Sequence, residues 1–325
     1  MIRDAWYAAA WAHELTGDPL GRRICGEPVT LFRDLGGRAR CVHSVCPHRG
    51  ADLSRGRLRS GELECPLHGW RFDGAGLCTH VPSGGRSSAR ARTFEVREQQ
   101  GLVWIWPGSG EPASPPPRHA FRDEGEVLRT PPRRWRAPFV HVMEQALDTA
   151  HVAYVHRGST AMAAPVVPEA RVTVDADRRG FTSESALDAS ASTDSGFLAR
   201  ARAAALGLGP TLARRVRFDM GGAAHVHITY RSGWDALGIF ATPADAHTTW
   251  VFGESVRTRA RHPLGRALQR RYLRRVMAED RVAAEALHTS RFPEGFPLAP
   301  SVASDRAANA FRALYRRWRD AEQVA

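Results

Sequence analysis

Residues 46–50 read Cys-Pro-His-Arg-Gly and residues 65–73 read Cys-Pro-Leu-His-Gly-Trp-Arg-Phe-Asp, so a Cys-x-His arm is followed, after 16 residues, by a Cys-x2-His arm. Each arm carries one thiolate donor and one imidazole donor. Two short loops brought tip to tip would present two sulfurs and two nitrogens. That set suits a [2Fe-2S] cluster in which Cys46 and Cys65 hold one iron and His48 and His68 the other. Gly50 and Gly69 follow the ligands and permit the tight backbone that such tips need. A structural zinc site would use the same donor types, but zinc fingers usually pair like with like, as C-x2-C and H-x3-H, instead of mixing them on each arm. Cys25, Cys41 and Cys78 read as buried core residues. An odd total of five cysteines argues against a disulfide framework.

Around these loops, from residue 23 to 106, glycines punctuate short β-type runs at 29–32, 39–43, 70–72, 93–96 and 102–106, which predicts a small all-β domain. A Pro/Gly/Ser-rich stretch at 108–118, with three consecutive prolines at 115–117, reads as a connection. The expected division is 1–112, a connection at 113–136, and 137–325. The last part mixes helices near 141–156, 263–289 and 305–321 with β-type runs at 171–174, 225–230 and 248–254, and so is α+β with an antiparallel sheet. The Ala/Gly-rich residues 196–210 read as a variable surface segment or a flap.

A second cluster of donors lies in that α+β part. Asp148, His151 and His156 form D-x2-H-x4-H on a predicted helix. Five residues of ideal helix would separate the two histidines by about 140°. For both to reach one metal, the helix must end, bend or carry a π-type irregularity; otherwise they are two surface histidines. Asp280 falls on the apolar stripe of Leu273, Val276, Met277, Ala284 and Leu287. A carboxylate there is costly unless paired or metal-bound, and Arg274, Arg275, Glu279 and Arg281 leave a salt-bridged helix as the alternative. His151, His156 and Asp280 together would make a 2-His-1-carboxylate triad, which leaves open positions on Fe(II) for O2.

All 46 basic residues are Arg, the formal charge is +12, and hydrophobic residues make up 43%. The composition is that of a folded protein. Arg for Lys throughout suits a GC-rich coding sequence or a basic docking face for an acidic partner. The arginines are dispersed instead of forming a dense block, which argues against nucleic acid as the partner. Neither a signal peptide nor an apolar run long enough to span a bilayer is evident, so a cytoplasmic protein without a membrane partner is expected.

The two Cys/His motifs resemble the Rieske domain of ring-hydroxylating and demethylating non-haem iron oxygenases. Pro19-Leu20-Gly21 and Leu-Val-Trp-Ile-Trp-Pro at 102–107 resemble the vanillate O-demethylase and dicamba monooxygenase group. Glu279-Asp280-Arg281 is similar to the segment carrying that family's carboxylate ligand. The resemblance implies a Rieske domain followed by a helix-grip-like catalytic domain, with a [2Fe-2S] cluster and mononuclear Fe(II) as cofactors. It also implies a head-to-tail homotrimer in which Asp148 bridges His151 of one subunit and His68 of its neighbour. Many relatives carry Asn where this chain has Glu144 and Gln145, which leaves the contacts around the iron open. No nucleotide-binding glycine motif is evident, so a ferredoxin or flavin reductase must supply electrons. The implied reaction is hydroxylation or oxidative demethylation of an aromatic or other cyclic small molecule by O2. A Rieske electron-transfer protein without oxygenase activity is the alternative. Pocket walls are expected from residues 225–252, with His225, His227 and His247 read as ordinary strand or turn residues.

Overall fold

A computed structural model describes residues 1–156, 159, 170–186, 211–230, 233–258, 261–288 and 301–324. Residues 196–210 lie outside the described part. Two compact units result, one of Met1–Arg118 with Thr242–Ala246, the other of His119–Ala241 with His247–Ala325.

The first unit is built of ten strands: β1 (Tyr7–Trp11), β2 (Leu20–Ile24), β3 (Glu27–Arg33), β4 (Ala39–His43), β5 (Arg57–Arg59), β6 (Glu62–Glu64), β7 (Arg71–Phe72), β8 (Cys78–His80), β9 (Glu95–Gln99) and β10 (Leu102–Trp106). They form antiparallel sheets in the orders β1-β10-β9, β2-β3-β4 and β5-β6-β7-β8. Every residue of β1 and β10 is buried, so Leu-Val-Trp-Ile-Trp reads as a continuous apolar run and lacks two-residue alternation. Its partner Tyr-Ala-Ala-Ala-Trp was not marked as a strand by its sequence, because alanine has little β preference. The connection at 108–118 is tied down: Gln99 Nε2 donates to the carbonyls of Pro116 and Pro117 at 3.0 and 2.8 Å, and Trp6 Nε1 donates to Ser114 O at 2.7 Å.

The second unit holds β11 (Glu126–Arg129), β12 (Arg133–Trp135), α1 (Phe139–Leu147), α2 (His151–Val155), β13 (Arg171–Val174), β14 (Gly180–Ala186), β15 (Thr211–Asp219), β16 (Ala223–Tyr230), β17 (Gly233–Pro243), β18 (Thr249–Arg257), α3 (Pro263–Glu285) and α4 (Arg306–Val324). Its strands form one eight-stranded sheet in the order β11-β18-β17-β16-β15-β14-β13, with β12 also pairing β18. The helices give this sheet its cover. Phe311 of α4 is fully buried and meets Phe218 edge-on at 5.2 Å, while Gln269 of α3 donates to Ser255 Oγ at 2.9 Å. The buried positions of α3 are Gly265, Gln269, Leu273, Val276, Asp280 and Ala284, spaced by three or four as one helix face requires. Leu287, expected on this stripe, lies beyond the helix end and is exposed. The helix expected across 141–156 is two helices, α1 and α2, with a break at Asp148.

Candidate functional site

The two Cys/His loops are built alike. The Cys46 N–H donates to Ala51 O at 2.8 Å and the Gly50 N–H returns to Cys46 O at 2.9 Å; the Cys65 N–H donates to Trp70 O at 2.8 Å and the Gly69 N–H to Cys65 O at 3.0 Å. Both glycines sit at positive φ, +73° and +69°, a conformation that side-chain-bearing residues adopt only at a cost. Each loop therefore turns its cysteine inward and its histidine outward. Cys46 and Cys65 are buried in a core with Phe32, Val42, Leu53, Leu63, Phe72 and Ala91, whereas His68 is exposed and His48 half-buried. The imidazoles lie 4.9 Å apart, centroid to centroid, and His48 stacks on Trp70 at 4.1 Å.

This arrangement suits an iron-sulfur cluster. Burial and the adjacent Cys65 sulfur push the Cys46 thiol up to about 11, so its thiolate forms readily only against a cation. His48 Nδ1 is buried without a hydrogen-bond partner, a costly state that a metal would relieve. Burial, helped by the neighbouring His68 and Arg49 charges, lowers the His48 pKa, a shift towards the neutral ring that metal ligation needs. Of the remaining cysteines, Cys25 and Cys41 are buried and Cys78 is half-buried against the same core.

In the second unit, the break at Asp148 brings the other donors together. The Asp148 carboxylate accepts the N–H groups of Ala150 at 2.7 Å and His151 at 3.2 Å, so a side chain replaces the helical carbonyls and α2 begins anew. His156 sits at the far end of α2, outside helical backbone (φ −101°, ψ 22°). The ideal-helix separation of 140° therefore does not apply. His151 Nε2 and His156 Nε2 lie 3.4 and 3.2 Å from Asp280 Oδ1, and one donor atom from each residue falls within 4.8 Å of the others.

Hydrogen bonds on the far side of each ring orient this triad. His151 Nδ1 meets the Asp148 carbonyl at 2.7 Å, and His156 Nδ1 meets Glu279 Oε2 at 2.9 Å. Both contacts favour a proton on Nδ1, leaving the Nε2 lone pairs aimed at a carboxylate oxygen. With both rings neutral, three acceptor atoms converge on one spot, which suits a cation; without one, protonated rings donate to Asp280 instead. Burial raises the Asp280 pKa, but the hydrogen bonds and charges of His151 and His156 outweigh it and hold the carboxyl well below its usual range. Gln145 Nε2 donates to both Oδ1 and the carbonyl of Asp280, at 2.9 Å each. Glu279 is itself held by Ser159 Oγ at 2.6 Å and Arg275 Nε at 2.8 Å. Glu144 does not face the triad; it is buried and pairs with Arg312 of α4.

A cavity opens on the triad. Its walls include Val216, Val226, Ile228, Leu237, Ile239 and Val276, with Asp148, Thr149, Arg214, Tyr230 and Tyr272 as its polar lining besides the triad. Residues 225–252 supply part of the wall, as expected. β15, which no strand expectation covered, supplies Arg214 and Val216. His225 and His227 occupy the alternate positions of β16 and lie on the opposite sheet face. There His225 stacks on His119 at 4.3 Å, and His119 Nδ1 meets Glu254 Oε1 at 3.0 Å.

Comparison with known families finds a match for each part of the chain. The profile of the Rieske [2Fe-2S] domain matches residues 5–95, and that of the vanillate O-demethylase oxygenase C-terminal domain matches residues 135–321, more than half of the chain. The chain belongs to the vanillate O-demethylase family of Rieske oxygenases. It is similar to the dicamba O-demethylase oxygenase component of Stenotrophomonas maltophilia, 40% identical over 169 residues that cover 49% of each protein. It also resembles the vanillate O-demethylase oxygenase subunit of Pseudomonas sp. (strain HR199 / DSM 7063), 33% identical over 48% of this chain and 46% of that one. These alignments span about half the length of the curated relatives. The fold match is complete: the crystal structure of dicamba monooxygenase bound to dicamba superposes with a TM-score of 0.86 at 26% identity, covering 100% of this chain and 99% of that one. Family membership implies a [2Fe-2S] Rieske cluster. No helix among the described residues is long and apolar enough to cross a membrane.

Proposed function

We propose that this protein is the terminal oxygenase component of a multi-component system that hydroxylates or oxidatively demethylates an aromatic or other cyclic small molecule. Cys46, His48, Cys65 and His68 hold the cluster; His151, His156 and Asp280 hold the iron. The supporting observation is the closure of three donor atoms within 4.8 Å beside a largely aliphatic cavity. A Rieske electron carrier would have no need of it. The names of the relatives, O-demethylases and a chloroacetanilide N-alkylformylase, support an O- or N-dealkylating reaction.

When bound, the cluster relays single electrons and ferrous iron offers open coordination positions to O2. The chain's own part is positioning. Glu279 and the Asp148 carbonyl hold the Nδ1 protons of His156 and His151, which fixes the ring planes and points both Nε2 atoms at one spot. Gln145 restrains the Asp280 carboxylate by donating to Oδ1, the oxygen that also faces the two histidines. The aliphatic walls exclude water from the reacting face. Asp148 also serves as the bridge to His68 of a neighbouring subunit in a homotrimer. Its carboxylate oxygens each accept one backbone N–H, and carboxylate oxygens retain further acceptor capacity. Electrons come from a ferredoxin or flavin reductase, and the system operates in the cytoplasm.

A panel of methoxylated, N-methylated and unsubstituted cyclic compounds, supplied with a surrogate reductase and scored for O2-dependent product and formaldehyde, tests the reading. Product formation by the wild type and its loss in Asp280→Ala, with the cluster's visible spectrum retained, is the expected result. No O2-dependent product from a wild type whose cluster is still reduced would leave only an electron carrier, and undiminished product in Asp280→Ala would remove Asp280 from the iron site.

A further inference from the structure

The two histidines of the Cys/His loops sit in different surroundings. His68 is exposed, and among the described residues its ring meets only His48, at an interplanar angle of 61°. His48 is half-buried and meets two rings of the second loop: the His68 imidazole at that angle, and the Trp70 indole face to face, 4.1 Å between centroids and 8° between planes. Gly69, at a φ of +69°, stands between His68 and Trp70 and turns the chain so that both rings reach the first loop. Trp70 is itself fixed. Its carbonyl accepts the Cys65 N–H at 2.8 Å, and its side chain packs on the core that contains Cys46 and Cys65.

The triad's histidines are oriented by other means. His151 and His156 are held through hydrogen bonds at Nδ1, the usual device for a ligand imidazole. No hydrogen bond from a described residue reaches the His48 ring, and its Nδ1 is buried. The stacked indole is what sets the plane of this ring.

Stacking also has an electrostatic consequence. The face of an indole is electron-rich and attracts positive charge. An imidazole bound to iron is drawn positive, more so on ferric than on ferrous iron, so the indole face favours the oxidised cluster. Exclusion of water acts in the same direction. A [2Fe-2S] cluster with two thiolates and two neutral imidazoles is uncharged when oxidised and negative when reduced, and a charge kept from water is costly. Both effects lower the potential at which the cluster takes up its electron, and a lower potential makes the reduced cluster the stronger donor to the next centre.

We infer that Trp70 is a positioning residue for the cluster, whose indole face fixes the His48 ring and holds the reduction potential down. This rests on Cys46, His48, Cys65 and His68 being the cluster ligands.

Redox titration of the holoprotein at fixed pH, followed by the electron paramagnetic resonance signal of the reduced cluster, tests the inference. Trp70→Leu keeps apolar bulk without a π face. It should raise the potential enough to change the reduced-to-oxidised ratio at a fixed potential by at least about threefold, ~30 mV for one electron. Trp70→Phe, which keeps a smaller face, should move it less. Wild-type protein produced with 5,7-difluorotryptophan keeps the shape of the stack but withdraws electrons from the ring, and its potential should also rise. Fluorinated Trp70→Phe protein controls for the other tryptophans and should match its unfluorinated form. An unchanged or lowered potential in cluster-bearing Trp70→Leu or in the fluorinated wild type, or an equal rise in the fluorinated Trp70→Phe control, would overturn the proposal. Should Trp70→Leu lose its cluster, the fluorinated pair decides alone. A wild type with no such signal on reduction would remove the ligand assignment itself, an outcome distinct from a signal whose potential ignores the indole.

Discussion

The two donor sets are assembled in opposite ways. Cys46, His48, Cys65 and His68 come from two short loops that each close on themselves through the same pair of backbone hydrogen bonds, with local glycines supplying the turn. The triad is long-range: Gln145 and Asp280, in direct contact, are 135 residues apart, and His156 and Glu279 are 123 apart. Local sets depend on backbone conformation and are robust to distant change. Long-range sets depend on the packing of α1, α2 and α3, and on second-layer hydrogen bonds that hold each ring.

This contrast predicts a hierarchy of effects. Cys65→Ser should abolish the electron paramagnetic resonance signal of the dithionite-reduced cluster and lower iron from about three to about one per chain. Retention of that signal would break the assignment of the loops. His156→Ala should do the opposite, costing more than about 100-fold in turnover while the cluster spectrum stays intact, beyond the range seen for outer partners. Glu279→Gln keeps the shape of the contact to His156 but removes its charge; a loss of roughly 10- to 100-fold in iron affinity is expected, measured by competition with a chelator. Gln145→Leu should fall at the lower end, about tenfold, because Asp280 keeps its other contacts.

The smallest effect concerns stability away from both centres. Burial raises the Glu126 carboxyl, but Arg257, which donates to it at 2.7 and 3.1 Å, and Arg266 outweigh this and lower its pKa. A carboxylate with a depressed folded pKa contributes stability that is present above its unfolded value, about 4.3. That contribution is lost as pH falls through the folded value. Glu126→Gln should therefore lower Tm by ~2–4 °C at pH 7 and converge with the wild type in acid. A constant offset at all pH values would show a packing effect instead.

Legibility followed the same division. The Cys/His arms were readable because ligand spacing and glycines are adjacent in sequence, and β10 was readable because its apolar run needs no partner to be recognised. The break at Asp148 could be posed only as a requirement, since helix periodicity over 141–156 is compatible with one helix or two. The Asp148 carboxylate decided it by accepting the Ala150 and His151 N–H groups at the start of α2. Gln145 and Glu279 carried no signal of their own; their roles exist only once α3 lies against α1 and α2.

Taken alone, the amino-acid order settled the chemistry of the donors: two thiols and two imidazoles in paired loops, two histidines with an aspartate nearby, and an acidic position on an apolar helix face. Those are matters of residue type and short-range geometry. Only the tertiary structure decided which of Arg214, Arg215 and Arg217 enters the cavity and which histidines stay out of it. In a strand, neighbouring residues face opposite sides, and the choice of side belongs to the sheet's register and to the helices that cover it.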